Sequence, residues 1–307
     1  MNTPERGLSV TSPRSDDAAE RLPHDVEVLP RLLSLGSSRG LEPSGNPAPG
    51  GGGNAYGGSL LAHMIHTSVR DVRATFRLQS VHAHFHAPAT VDDPVRYEPT
   101  TLQRSRRFSS FGMAAMQNER LVASGTVSFH ADEDSHQHAA VGPAGWSRPE
   151  ASAPAHGAIC PEPNAPIRRP FDVRRAVSSI PQQQGGRPLL GLWVRTVHPL
   201  IGWHEIHKAA LAWVSDFSLT RVVDLGHEHE SGIWFAATLN HAMWFHRPVD
   251  VNEWIFYELH SPSYRAGIAH SSGRFFTQSN ELVASVSQDC VVRKPTNRGS
   301  PEHGGRV

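Results

Sequence analysis

The chain has 307 residues, with Lys+Arg and Asp+Glu at 29 each, so it carries no formal net charge. That balance removes the global electrostatic case for binding nucleic acid or an anionic membrane surface. No run approaches the roughly 20 apolar residues of a membrane span, the N-terminal stretch lacks the apolar core of a secretory signal, and two cysteines, Cys160 and Cys290, make no disulfide framework.

These exclusions point to a cytoplasmic protein long enough for two domains. Residues 1–23 are rich in Ser, Pro, Asp and Arg and read as a disordered tail. A Gly-rich loop then leads into YGGSLLAHMIHTSVRDV, where Leu60, Leu61, Met64, Ile65 and Val69 recur at helical spacing. Gly57 and Gly58 open this helix, so its first backbone N–H groups are bare. Strand-like segments follow at Leu78–His86, Val95–Leu102, Phe108–Gln117 and Arg120–His130, separated by turns such as QNER.

Residues 134–165 are dominated by Pro, Ala, Gly and Ser and hold no apolar period, which predicts a disordered linker. A second set of elements comes after it. Strand Leu189–Val197 precedes the helix HEIHKAALAWVSDF, which carries Ile206, Ala209, Ala210, Trp213 and Phe217 on one face. Strands are then expected at Gly232–Asn240, Met243–His246, Trp254–Leu259, Gly267–Thr277 and Glu281–Val292. Residues 295–307 form a second polar tail.

The two halves repeat each other. QNERLVAS at Gln117–Ser124 returns as QSNELVAS at Gln278–Ser285, with Leu282 standing 161 residues after Leu121. Phe85-His86-Ala87-Pro88 returns as Phe245-His246-Arg247-Pro248, 160 residues on. Two blocks at nearly one offset imply a duplicated domain, one copy over 24–133 and the other over 166–294. In each copy a long helix followed by an antiparallel meander suggests an α+β unit with a sheet wrapped around a central helix.

Several segments resemble the type II acyl-CoA thioesterases. They are ATLNHAMWFHRPVDVNEW (Ala237–Trp254), WVSDFSL (Trp213–Leu219) and LVASVSQDCVVR (Leu282–Arg293), with looser likeness in YGGSLLAH, SVHAHFHAP and AAMQNERLVASGTVSF. The resemblance covers roughly residues 50–130 and 166–294. It implies a tandem double hotdog and hydrolysis of an acyl-CoA thioester to free CoA and a carboxylic acid.

The family's water-holding Asp, Thr and Gln carry over to Asp216, Thr238 and Gln288. The chemistry is sensible: a carboxylate can act as general base on a water, and Thr and Gln can orient it. Gly57, Gly58, His241 and Trp244 are the candidates for substrate contact. No metal or cofactor is required, coenzyme A being part of the substrate. The partner is an acyl-CoA or another acyl thioester, and a homo-oligomer through hotdog sheets is possible. No G-x-S-x-G elbow or Ser-His-Asp order appears, so direct attack by water is favoured over an acyl-serine.

The repeat offers a check on the trio. The repeat sets Ile65, Leu78 and Val127 opposite Asp216, Thr238 and Gln288, so the first copy is apolar where the second is polar. Two other features suggest chemistry more weakly. His82, His84 and His86 alternate onto one strand face, a geometry that could hold zinc but more simply makes a polar face. Arg104, Arg106 and Arg107 could meet phosphates or line a solvated turn. Two other readings share the fold: an acyl-thioester hydratase or dehydratase, and a non-catalytic acyl-CoA-binding protein.

Overall fold

The computed structural model describes residues 28–35, 44–45, 47–48, 50, 53–157, 160–179, 189–203, 205–226 and 235–293. The tails expected at 1–23 and 295–307 lie outside the described residues. Three helices occur among the described residues: α1 (Val28–Leu32), α2 (Gly57–Val69) and α3 (Ile206–Ser215). One antiparallel sheet of 12 strands holds the chain together.

The first half supplies β1 (Ser44–Gly45), β2 (Phe76–Phe85), β3 (Val95–Arg104), β4 (Phe108–Gln117) and β5 (Arg120–Ala131). The second supplies β6 (Ala153–Pro154), β7 (Phe171–Ala176), β8 (Leu189–Thr196), β9 (Phe235–Phe245), β10 (Ile255–Arg265), β11 (Ile268–Thr277) and β12 (Leu282–Arg293). Their spatial order is β1-β3-β4-β5-β2-β9-β12-β11-β10-β8-β7-β6.

The halves meet where β2 pairs antiparallel with β9. His82 faces Ala242, Ser80 faces Trp244 and His84 faces Asn240. Because the repeat offset here is 160, this pairing is self-complementary about the His82–Ala242 rung. Even an irregularity repeats: the β2–β5 ladder slips at Leu78/Ser80, and the β9–β12 ladder slips at Asp289/Cys290, opposite Asn240 and Thr238. Gln79 and Leu239 are the extra residues, again 160 apart.

Alternation decides which side chains meet the helices. On β9, His241, Met243 and Phe245 are buried while Asn240, Ala242 and Trp244 are only partly so. α2 packs against α3 and the sheet, and one continuous apolar core joins residues of both helices to the inner sheet face. Trp213 of α3 is fully buried and donates its indole N–H to Ile167 O at 2.9 Å. Truncating it to Ala removes about 3–5 kcal/mol.

The single apolar stripe expected on α2 is instead burial on almost every side. Its polar residues are accommodated locally: Ser59, Thr67 and Ser68 donate to the backbone oxygens of Tyr56, His63 and Met64. His63 lies 3.1 Å from the Tyr97 hydroxyl and 2.9 Å from Leu32 O. Periodicity could not anticipate this, because hydroxyls that bond their own helix cost little to bury.

The segment at 134–165, expected to be a structureless linker, packs on the second half where it is described, with Trp146 on the outer-face ring cluster and Ala155 and Cys160 in the main core. It carries a short 3-10 turn at Pro149–Ala151 and the strand β6, which pairs with Arg174 and Arg175. Trp146 packs over Phe256 beside Trp193, Trp254 and Phe276. The strand pairs expected at Gly232–Asn240 and Met243–His246 form one strand, β9, within the described residues. Strand β7 was not anticipated.

Candidate active site

The site is built where the C-terminus of α3 meets the N-terminus of α2. α3 ends because its last carbonyls are taken by side chains rather than by another turn. Tyr56 donates its hydroxyl to Trp213 O at 2.6 Å, Tyr257 donates to Ser215 O at 2.7 Å, and Ser215 donates to Ala212 O at 2.7 Å. Tyr257 is itself fixed by a stacked contact with Phe275, 3.9 Å between ring centroids. Asp216 is the next residue, at the C-cap.

The Asp216 carboxylate is held by both elements around it. Oδ2 accepts the Gly58 backbone N–H at 3.1 Å, and Oδ1 accepts the Thr238 hydroxyl at 3.4 Å. Burial pushes its pKa up from 3.8 to about 7, against the lowering effect of those two hydrogen bonds. The N-terminus of α2 favours the negative charge, whereas the C-terminus of α3 opposes it.

Two glycines permit this approach. A Cβ on Gly57 would lie 2.8 Å from Asp216 Oδ2, and one on Gly58 would lie 2.5 Å from Trp213 O. The Gly58 N–H, read from sequence as bare, is therefore engaged by Asp216.

Gln288 lies on β12, opposite His241 on β9 and Ser271 on β11. It is fully buried, its Oε1 sits 2.7 Å from His241 Nδ1, and its Nε2 has no partner among the described residues. The other ring nitrogen of His241, Nε2, lies 2.8 Å from Ser215 Oγ. Burial holds the His241 pKa down at about 4, so the ring is neutral near pH 7. Ser271 is also fully buried, and its hydroxyl too lacks a partner among the described residues.

Asp216 and Thr238 thus touch, and Gln288 is linked through His241 to Ser215, the residue before Asp216. The equivalent row in the first half is apolar. Phe111, Val127 and Val81 pair across β4, β5 and β2 as Ser271, Gln288 and His241 do across β11, β12 and β9. Ile65, Leu78 and Val127 are all fully buried. Sequence reading missed Ser271, although the same offset of 160 sets it against Phe111. It also missed Ser215 and Tyr56, whose roles depend on where α3 ends.

Trp244 does not belong to this group. It stands three positions after His241, so strand alternation sends the two side chains to opposite faces. Trp244 packs against His82 on the outer face, with ring centroids 5.0 Å apart. The histidine row of β2 lies on that face too, where His86 Nε2 sits 2.7 Å from Ser124 Oγ. Cys290, the strand partner of Thr238, has its thiol pushed up to about 12 by burial and by nearby carboxylates, and is no nucleophile near pH 7.

Known proteins share this architecture. Residues 46–130 match the family described as Acyl-CoA thioesterase N-terminal domain, and residues 136–292 match Acyl-CoA thioesterase C-terminal domain. Acyl-CoA thioesterase 2 of Haemophilus influenzae is 27% identical over 281 residues, spanning 87% of this chain and 94% of that protein. Human acyl-coenzyme A thioesterase 8 is 24% identical, over 78% of this chain and 80% of its own. The acyl-CoA thioesterase II TesB2 of Mycobacterium marinum superimposes with a TM-score of 0.76 at 25% identity, covering 87% of this chain and 99% of that one. A hot dog fold protein of unknown function from Alicyclobacillus acidocaldarius gives 0.70 at 20% identity, over 89% and 100%.

The class is that of the hotdog-fold thioesterases. Within it, the chain belongs to the type II acyl-CoA thioesterase family and is a thioester hydrolase. Among the described residues, no helix is long and apolar enough to cross a membrane.

Proposed function

We propose that the protein hydrolyses an acyl-CoA thioester through a water held by Asp216, Thr238 and Gln288, in the second of two hotdog units that each enclose one long helix. The observation that carries this reading is the Asp216 carboxylate. It is largely buried, has its pKa raised to about 7, and is pinned by Gly58 and Thr238, as a general base working near neutrality would be.

In the reaction, the water oxygen attacks the thioester carbon while one of its protons passes to Asp216. The tetrahedral intermediate then collapses, the C–S bond breaks, and the CoA sulfur leaves as a thiol with the proton returned from Asp216. The carboxylic acid is the other product. Thr238 donates to the carboxylate and so fixes which oxygen faces the water. The Gly57 N–H, at the positive end of α2, is the candidate donor to the developing oxyanion. Water is the only other reactant, and no resident cofactor enters these steps. A cytoplasmic setting, where acyl-CoA is made and used, fits the composition.

The test is release of free thiol from a panel of acyl-CoAs, with Asp216→Asn beside the wild type. We expect turnover by the wild type and a loss of about 10²-fold or more in the variant, the scale of a single polar catalytic contact. Hydration or dehydration of acyl chains without thiol release would favour the hydratase reading instead. Binding without turnover would leave an acyl-CoA-binding protein.

A further inference from the structure

A line of buried polar groups runs behind the site, and its protons can be counted. Ser215 Oγ lies 2.7 Å from Ala212 O and 2.8 Å from His241 Nε2, and His241 Nδ1 lies 2.7 Å from the Gln288 carboxamide. Ser215, His241 and Gln288 are all essentially without solvent exposure. Water therefore cannot correct a mismatch of donor and acceptor, and each unmet group is costly.

A carbonyl oxygen only accepts, and a serine hydroxyl has one proton. Ser215 Oγ is placed to donate to Ala212 O at 2.7 Å, slightly nearer than His241 Nε2 at 2.8 Å, and a proton held there makes the Ser215 oxygen an acceptor toward His241. The His241 proton then sits on Nε2. In a neutral imidazole the other nitrogen, Nδ1, is bare and needs a donor. The only donor that Gln288 can offer is its NH2 group. Amide oxygen and nitrogen have the same shape, and the hydrogen-bond network decides between them. The network reverses the amide from the placement that sets Oε1 2.7 Å from His241 Nδ1: once the NH2 is turned to His241, the oxygen of Gln288 is the end that faces the interior.

We propose that His241, oriented by Ser215, is a positioning residue that turns the Gln288 carboxamide so that its oxygen faces the reacting water as an acceptor. This rests on the reading of Asp216, Thr238 and Gln288 as the water site. Its consequence is stereochemical. A water with one proton on Asp216 and the other on Gln288 has both O–H bonds engaged by acceptors, which leaves a lone pair for the thioester carbon. An inward NH2 would instead bond to that lone pair and compete with attack. The first half lacks the pair, carrying Val81 and Val127 at the positions of His241 and Gln288.

The experiment reads the tautomer directly. In protein labelled with 15N-histidine, two-bond 15N–1H correlations report which ring nitrogen holds the proton, and His241→Asn identifies the signal by its disappearance. At pH 7.5 we expect the proton on Nε2. Ser215→Ala removes its acceptor, so the proton should move to Nδ1, turn the amide, and lower kcat about tenfold with KM within about twofold, the scale of one hydrogen bond to a reacting group. Ser215→Thr, which restores a hydroxyl, should return the proton to Nε2 and recover most of that loss.

A wild-type proton on Nδ1 overturns the proposal, and that measurement stands even if the Ser215 variants do not fold. A tautomer that moves in Ser215→Ala without a fall in kcat overturns it as well. The tautomer needs no turnover to be read, so an inactive wild type would count against the water-site reading and not against the orientation of Gln288.

Discussion

Gly58 and Asp216 lie 158 positions apart in the chain, yet the backbone N–H of one is donated to the carboxylate of the other at 3.1 Å. This contact ties the start of a helix in the first half to the end of a helix in the second. It makes the first half a structural participant in the site, to which it also brings the Tyr56 hydroxyl. Glycine inside a helix normally costs stability relative to alanine. Here the sign reverses, because an added Cβ would meet Trp213 O at 2.5 Å and the Tyr56 ring at 2.6 Å. Gly58→Ala should therefore destabilise the fold by about 1–3 kcal/mol, as overpacking does. It should also lower kcat/KM at least tenfold by displacing Asp216. Thermal melts and thiol release check the two effects separately.

The raised pKa of Asp216 gives a pH dependence with a definite sign. A general base works ionised, so kcat/KM should climb with unit slope below pH 7 and level off above it, with the bend at about 7. A profile that is flat from pH 5.5 to 8.5 would remove Asp216 as the base.

Stability should run the other way. The carboxyl has its pKa at about 7 when folded, against the ordinary aspartate value of 3.8. Between those values the folded chain holds a proton that the unfolded chain has released, so this contribution is full below about pH 4 and is lost as pH rises through about 7. Asp216→Asn escapes that loss. It should melt close to the wild type at pH 4 and several degrees higher at pH 8, at roughly 2–4 °C per kcal/mol for a chain of this size class. Calorimetry at the two pH values decides it.

Thr238→Val keeps the shape of the residue and removes the hydroxyl donated to Asp216 Oδ1. That hydrogen bond lowers the Asp216 pKa, so without it the limb of the rate profile should move to higher pH. At pH 6 the variant should lose more activity than at pH 8.5. An equal loss at both would mean that Thr238 acts on the substrate and not through the carboxylate.

Trp244 points to the outer sheet face, against His82. Trp244→Ala should cost stability through lost packing and leave the KM for acyl-CoA within about twofold, since a change on the far face removes no substrate contact. A large rise in KM, with the melting point unchanged, would return Trp244 to the site.

Much of this architecture was legible in the sequence because duplication and strand alternation leave strong marks. Phe108–Gln117 forms as a strand with its expected bounds, and Phe76–Phe85, Arg120–Ala131 and Leu282–Arg293 differ from expectation by at most two residues at an end. The close approach of Asp216 and Thr238 follows from residues singled out beforehand. What sequence reading lost was facing and closure. Trp244 was grouped with His241 because they are neighbours in the chain, although a separation of three reverses the face in a strand. The Pro/Ala-rich stretch looked too polar to order itself, and it does not do so alone. Trp146 supplies the apolar anchor by packing on a ring cluster that the second half presents. Ser271 escaped notice because a serine in a strand means little until Phe111 is seen to hold the matching place in the other copy.

The His82–Ala242 rung has a consequence for how the chain behaves among its own copies. Each half, taken singly, would expose a long strand, β2 or β9, with a row of unpaired backbone groups ready to recruit another chain. Fused, the two halves consume each other's open flank inside one polypeptide. Among the described residues, the sheet then terminates in Ser44–Gly45 on one side and Ala153–Pro154 on the other. Two-residue strands, one of them carrying a proline that cannot donate, make poor templates. The fusion of two similar halves thus turns what would be two open flanks into one internal seam.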